Sequence, residues 1–154
     1  MVSLDGNGIG PVRFGLSKDR AVAALTALFG SPTWRGVNTG CGPLWTEVVW
    51  NGIAAEFRGS SFTGYRYASA THIEGLLGAL RVPGKPEFPA LATAKGITLG
   101  STLGHLRSLY TLHLEGAGRW HYGNLVFVSN ARHSPAPLTS RIIEIKAMST
   151  CGDF

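Results

Sequence analysis

Apolar residues in the stretch PVRFGLSKDRAVAALTALFG, Pro11 to Gly30, change their spacing partway along. The first four residues form a short extended run opened by a proline, the pattern of an edge strand. Gly15 breaks it, Ser17 offers an N-cap hydroxyl, and Asp19 stands in the first turn, where the helix dipole favours an acid. Ala21, Val22, Ala24, Leu25, Leu28 and Phe29 then recur at three- and four-residue spacing, one apolar stripe. Gly30 and Pro32 end the predicted helix. Moved 85 residues along, the pattern returns in GITLGSTLGHLRSLY, Gly96 to Tyr110. Val12 falls on Ile97, Phe14 on Leu99, Gly15 on Gly100, Ser17 on Thr102 and Ala21 on Leu106.

Period-two patterning follows each predicted helix. In LWTEVVWNGIAAEFR an Asn-Gly pair separates two apolar runs, a strong hairpin signal. In RWHYGNLVFVS the pair Gly123-Asn124 plays the same part, with glycine first as a type II′ turn favours. FTGYRYAS adds a third strand to the first half, and TSRIIEIKAMS closes the second with Ile143, Ile145 and Ala147 on one face. The expected fold is α+β: one domain of two tandem α/β repeats, an antiparallel sheet with helices packed on one face. Repeat one covers about 8–82, a Pro-rich connector about 83–94, and repeat two about 95–154. Within THIEGLLGALRV, residues 71–82, Thr71 and Glu74 form a capping box while Gly75 and Gly78 weaken a helix, so that segment stays open.

The motif FGLSKDRAVAAL and its echo LGSTLGHLRSLY resemble the strand-to-helix lead-in of the beta-lactamase inhibitory protein family, and that of BamE-type outer-membrane assembly lipoproteins. The ending RIIEIKAMSTCGDF resembles the close of secreted actinobacterial proteins, and the Arg-, Ala- and Gly-rich composition fits a high-GC genome. The resemblance implies a secreted tandem-repeat domain. Its shared motif covers about a fifth of the chain. The inhibitor family places a disulfide inside each repeat, whereas Cys41 and Cys151 here would join one repeat to the other, and no inhibitor contact residue carries over.

Composition narrows the classes. The chain has 154 residues, 44% of them hydrophobic and only 15% charged, which suits a packed domain and not a disordered one. No apolar run reaches the roughly 20 residues of a membrane-spanning helix. The start, MVSLDGNGIGPV, lacks the basic and apolar regions of a signal peptide. The net charge of +5 comes from 14 Lys and Arg against nine acids, with the ten arginines scattered. Nucleic-acid binding calls for a clustered basic stripe, so it is not expected. If Cys41 and Cys151 are oxidised they close a loop of about 110 residues, which suits a secreted or envelope protein. Two buried thiols are the alternative.

Candidate chemistry centres on the first hairpin. A two-residue turn at Asn51-Gly52 opposes Trp50 to Ile53, Val48 to Ala55 and Thr46 to Phe57 on an apolar face. The other face carries Val49 with Ala54, Glu47 with Glu56, and Trp45 with Arg58. Arg66, between Tyr65 and Tyr67 on the next strand, is the expected counter-charge. Taken as solvent-facing, Trp45, Glu47, Glu56, Arg58 and Arg66 form a recognition surface of the kind in which Trp, Tyr and Arg carry binding energy. The expected function is a non-enzymatic secreted or cell-envelope module that binds a protein or an anionic envelope polymer through that face. The alternative is a small hydrolase using Glu47 and Glu56 as an acid/base pair. His105, His113 and His121 fall eight apart, a spacing that suits no shared helix face or hairpin, so neither a metal nor a cofactor is expected. No Walker loop, dinucleotide-binding glycine motif or nucleophile elbow occurs.

Overall fold

The computed structural model describes residues 2–37, 41–68, 91–116 and 118–148. Strands β1 (Ser3–Asp5), β2 (Gly8–Ile9) and β3 (Val12–Arg13) precede helix α1 (Lys18–Phe29), and strands β4 (Trp34–Val37), β5 (Trp45–Trp50), β6 (Ile53–Arg58) and β7 (Ser61–Ala68) follow it. Then come β8 (Ala92–Thr93), helix α2 (Leu103–Leu109), β9 (His113–Gly116), β10 (Arg119–Tyr122), β11 (Leu125–Ser129) and β12 (Ile142–Ala147). The large sheet has eight antiparallel strands in the order β4-β5-β6-β7-β12-β11-β10-β9. A smaller sheet, β3-β2-β1-β8, is mixed because β1 and β8 run parallel.

This corrects the α+β expectation. The described chain is mostly β, with two helices of 12 and 7 residues set against an eight-stranded and a four-stranded sheet. Helical periodicity stands out in a sequence, whereas β1, β2, β3 and β8 are two or three residues long and too short to show any period. β8 also lies at the end of the segment read as a proline-rich connector, where Ala92 and Thr93 pair with Ser3 and Leu4. The open segment 71–82 and most of that connector lie outside the described residues.

Both helices start as their sequences dictate. Ser17 caps α1, its Oγ accepting from the Arg20 amide at 3.4 Å, and Thr102 caps α2, its Oγ1 accepting from the His105 amide at 3.1 Å. Ahead of each cap the chain turns through a glycine with positive φ, +92° at Gly15 and +86° at Gly100. The Gly15 amide donates to the Phe62 carbonyl at 2.9 Å and the Gly100 amide to the Ile142 carbonyl at 2.7 Å. In return the Phe62 amide donates to Leu16 and the Ile142 amide to Ser101. Each helix is thereby tied to the start of one of the two strands, β7 and β12, that meet at the middle of the large sheet.

One apolar core joins the helices, the small sheet and one face of the large sheet, with Leu4, Leu25, Trp50, Phe62, Leu106 and Phe127 fully buried. In β12 the expected inward trio was Ile143, Ile145 and Ala147. The core instead takes Ile142 with Ile145 and Ala147, because an irregularity pairs Ser129 with Ile142 and Val128 with Glu144.

Tyr65 sits in this core with no exposed surface and donates its hydroxyl proton to the Asp5 backbone carbonyl at 3.0 Å. Burial, and then the Asp5 carboxylate, hold its ionisation well above the ordinary phenol range. The unfolded chain releases this proton near pH 10 while the folded chain keeps it. Tyr65 therefore contributes fully below about pH 10, and stability falls by about 1.4 kcal/mol per pH unit above it. Urea midpoints for wild type and Tyr65→Phe on either side of that pH are expected to show a shallower decline in the variant. Equal slopes would place the alkaline loss elsewhere.

Candidate functional site

The first hairpin folds in the expected register. Trp45 opposes Arg58, Glu47 opposes Glu56, Val49 opposes Ala54 and Trp50 opposes Ile53. A two-residue turn leaves no freedom for slippage, so every pair follows once Asn51 and Gly52 are placed. On the next strand Ala54 opposes Arg66, and across the centre of the sheet Arg66 opposes Lys146 on β12. Glu47, Glu56, Arg66, Lys146 and Glu144 thus share the sheet face away from the apolar core.

That face is not solvent-facing, which corrects the expected surface. Glu47 is 6% exposed, Glu56 2%, Arg66 5%, Glu144 4% and Lys146 2%, and Val49 and Ala54 among them are buried as well. Arg66 Nε donates to Glu56 Oε1 at 2.9 Å, and Lys146 Nζ stands 3.8 Å from Glu144 Oε1. Burial works against the charge on Arg66, but the carboxylates of Glu56, Glu144 and Glu47 outweigh it and hold the guanidinium more firmly protonated than usual. Within the cluster Glu56 is therefore tied to Arg66, and Glu144 lies beside Lys146. Glu56, committed to Arg66, is poorly placed to exchange protons with a substrate, so this geometry gives the hydrolase reading no support.

Only the outer end of the hairpin reaches water. Trp45 is half-buried, Arg58 is exposed, and the Arg58 Cζ lies 5.7 Å from the Trp45 ring centroid, a cation–π stack. Beside it runs β4, an edge strand with Trp34, Arg35 and Val37 exposed, and Leu44 leads into β5 at 62% exposure. The Trp34 indole lies across Gly36, where a Cβ would collide with its six-membered ring, so glycine at 36 lets the ring lie flat on the strand. Glycine 36 is paired with Glu47, which brings that indole beside the charged row.

The histidines divide. His105 is on α2, whereas His113 and His121 oppose one another on β9 and β10 with ring centroids 5.1 Å apart, a convergence that the spacing of eight did not suggest. Glu115 Oε1 lies 3.9 Å from His121 Nδ1. Among the described residues no group of three or more His, Cys, Asp or Glu is arranged to hold a metal ion. Cys41 is not a free thiol, and Cys151 lies outside the described residues.

Sequence reasoning missed a cavity under α2, to which Arg107, Trp120 and His133 contribute. The signal was present in the 85-residue alignment: Leu28 and Phe29, the last turn of α1, fall on His113 and Leu114, which belong to strand β9. The second helix is therefore too short to cover its half of the sheet. No family model, curated protein or solved structure matches the chain.

Proposed function

We propose that this chain is a non-enzymatic binding module of the cell envelope or exterior that docks an acidic protein on the edge formed by β4 and the start of β5. One observation carries the reading. Glu47 and Glu56 of the central hairpin are buried, Glu56 in an ion pair with Arg66 of the next strand, while Trp45 and Arg58 at its outer end remain accessible beside Trp34, Val37 and Leu44. Trp and Arg in an apolar setting are the residue types that carry most binding energy at protein interfaces. The chain's net charge of +5 favours an acidic partner. A Cys41 that is not a free thiol fits an oxidising compartment.

The test compares wild type, Trp45→Ala and Arg58→Glu as baits on an envelope extract, with beads carrying an anionic envelope polymer in parallel. The reading expects a protein retained by wild type and weakened about tenfold or more by each substitution, the effect of losing an interface anchor. Retention that is indifferent to both substitutions, or retention on the polymer beads alone, overturns it.

A further inference from the structure

The strongest unassigned feature is a cavity of about 490 Å³ on the core side of β9 and β10, within the size range of small-molecule sites. Its wall is made by Leu103, Leu112 and Pro135 together with Tyr110 and Trp120, and Arg107 and His133 contribute polar groups. Among the described residues no acid lines it.

Among the described residues three polar groups there have no protein partner, two of them, Arg107 and His133, on exposed residues at the mouth. Trp120 is 7% exposed, yet its indole N–H makes no hydrogen bond and is not sealed from solvent-sized access. Buried indoles ordinarily find an acceptor, as Trp50 does with the Gly30 carbonyl at 2.9 Å. Arg107, in the last turn of α2, has neither an ion pair nor a hydrogen bond from its guanidinium, and the His133 ring is equally uncommitted. A guanidinium, an imidazole and an indole N–H are all donors, and among the described residues nothing in the lining offers them a carboxylate.

From this convergence we infer that the cavity binds a small anion built as an oxyanion on a flat apolar body, an aromatic carboxylate being the simplest member of the class. The flat body lies against Trp120 and Tyr110, with the leucines and Pro135 closing round it. The oxyanion takes the fork of Arg107, a geometry matched to a carboxylate, with the Trp120 and His133 N–H groups as further donors. This site is separate from the β4–β5 edge, so either proposal can fail alone.

Calorimetric titration with 2-naphthoate tests it, using 2-naphthalenemethanol as the uncharged analogue and sulfate as the anion without a body. The expected result is saturable binding of 2-naphthoate, weakened about tenfold or more when the charge is removed from the probe or, in Arg107→Gln, from the protein. Trp120→Phe, which keeps an aromatic ring and deletes the donor, is expected to weaken binding several-fold, and Arg20→Gln on α1 to leave it unchanged. Equal affinity for the alcohol, binding indifferent to both Arg107→Gln and Trp120→Phe, or no binding of 2-naphthoate overturns the proposal. Circular dichroism and thermal melts confirm that each variant is folded before it is scored.

Discussion

Arg66→Met is expected to destabilise the protein by about 3–5 kcal/mol, the cost of removing one partner from a buried ion pair. Among the described residues the face around it holds three carboxylates, Glu47, Glu56 and Glu144, and two cations, Arg66 and Lys146, all 6% exposed or less. Losing Arg66 takes the Nε donor from Glu56 Oε1 and, among the described residues, leaves Lys146 as the cation facing these carboxylates. Were the face solvated, water would screen the same change and the loss would fall near 0–1 kcal/mol. Urea unfolding of Arg66→Met therefore tells a closed face from an open one.

The double variant Glu56→Gln with Arg66→Met sharpens the test. Removing the charge on Glu56 removes the carboxylate whose guanidinium partner was lost, so the pair is expected to cost clearly less than the sum of the single changes. Arg66→Lys keeps the charge without the guanidinium fork and belongs between wild type and Met. Should Arg66→Met fail to accumulate as folded protein, the double variant still reports, because a rescued fold requires the coupling. A loss under about 1 kcal/mol for Arg66→Met would reopen the recognition surface that the sequence suggested.

The reason the sequence misplaced that face is specific. Pairing at Asn51-Gly52 was legible because a two-residue turn fixes register. Solvent exposure was inferred from the charges and Trp45 on that face, although Val49 and Ala54 stand in the same rows. Val48-Val49-Trp50 and Ile53-Ala54-Ala55 are continuous apolar runs, and such runs mark strands buried on both faces. The charges were an exception inside a dry face and not the sign of a wet one. Helix starts were legible through the hydroxyl caps, since Ser17 and Thr102 satisfy backbone donors locally. The shift that brings Ile142 inward in place of Ile143 was not legible, because an extra residue in a strand leaves no mark on period-two patterning. The cavity under α2 escaped for a different reason: Arg107, Trp120 and His133 are 13 apart each, with no motif to join them.

Trp50→Ala is expected to cost about 3–5 kcal/mol, the usual price of deleting a fully buried aromatic side chain. Trp50 ends β5 immediately before the hairpin turn, packs its ring 6.5 Å from that of Phe29, and donates to the carbonyl of Gly30, which closes α1. It fastens the far end of the helix to the hairpin. Trp50→Phe keeps much of the packing but strands the Gly30 carbonyl, and a loss of about 1–3 kcal/mol follows. Tyr122 occupies the corresponding place before the Gly123-Asn124 turn, yet it is 44% exposed and rests edge-on against Tyr110 at 4.9 Å. Tyr122→Ala is accordingly expected to cost about 1 kcal/mol. The asymmetry is one of burial: Trp50 meets Phe29 at the end of α1 with no exposed surface, whereas Tyr122, although it meets Tyr110 at the close of α2, stays 44% exposed. Equal losses at Trp50 and Tyr122 in thermal or urea unfolding would sink that explanation.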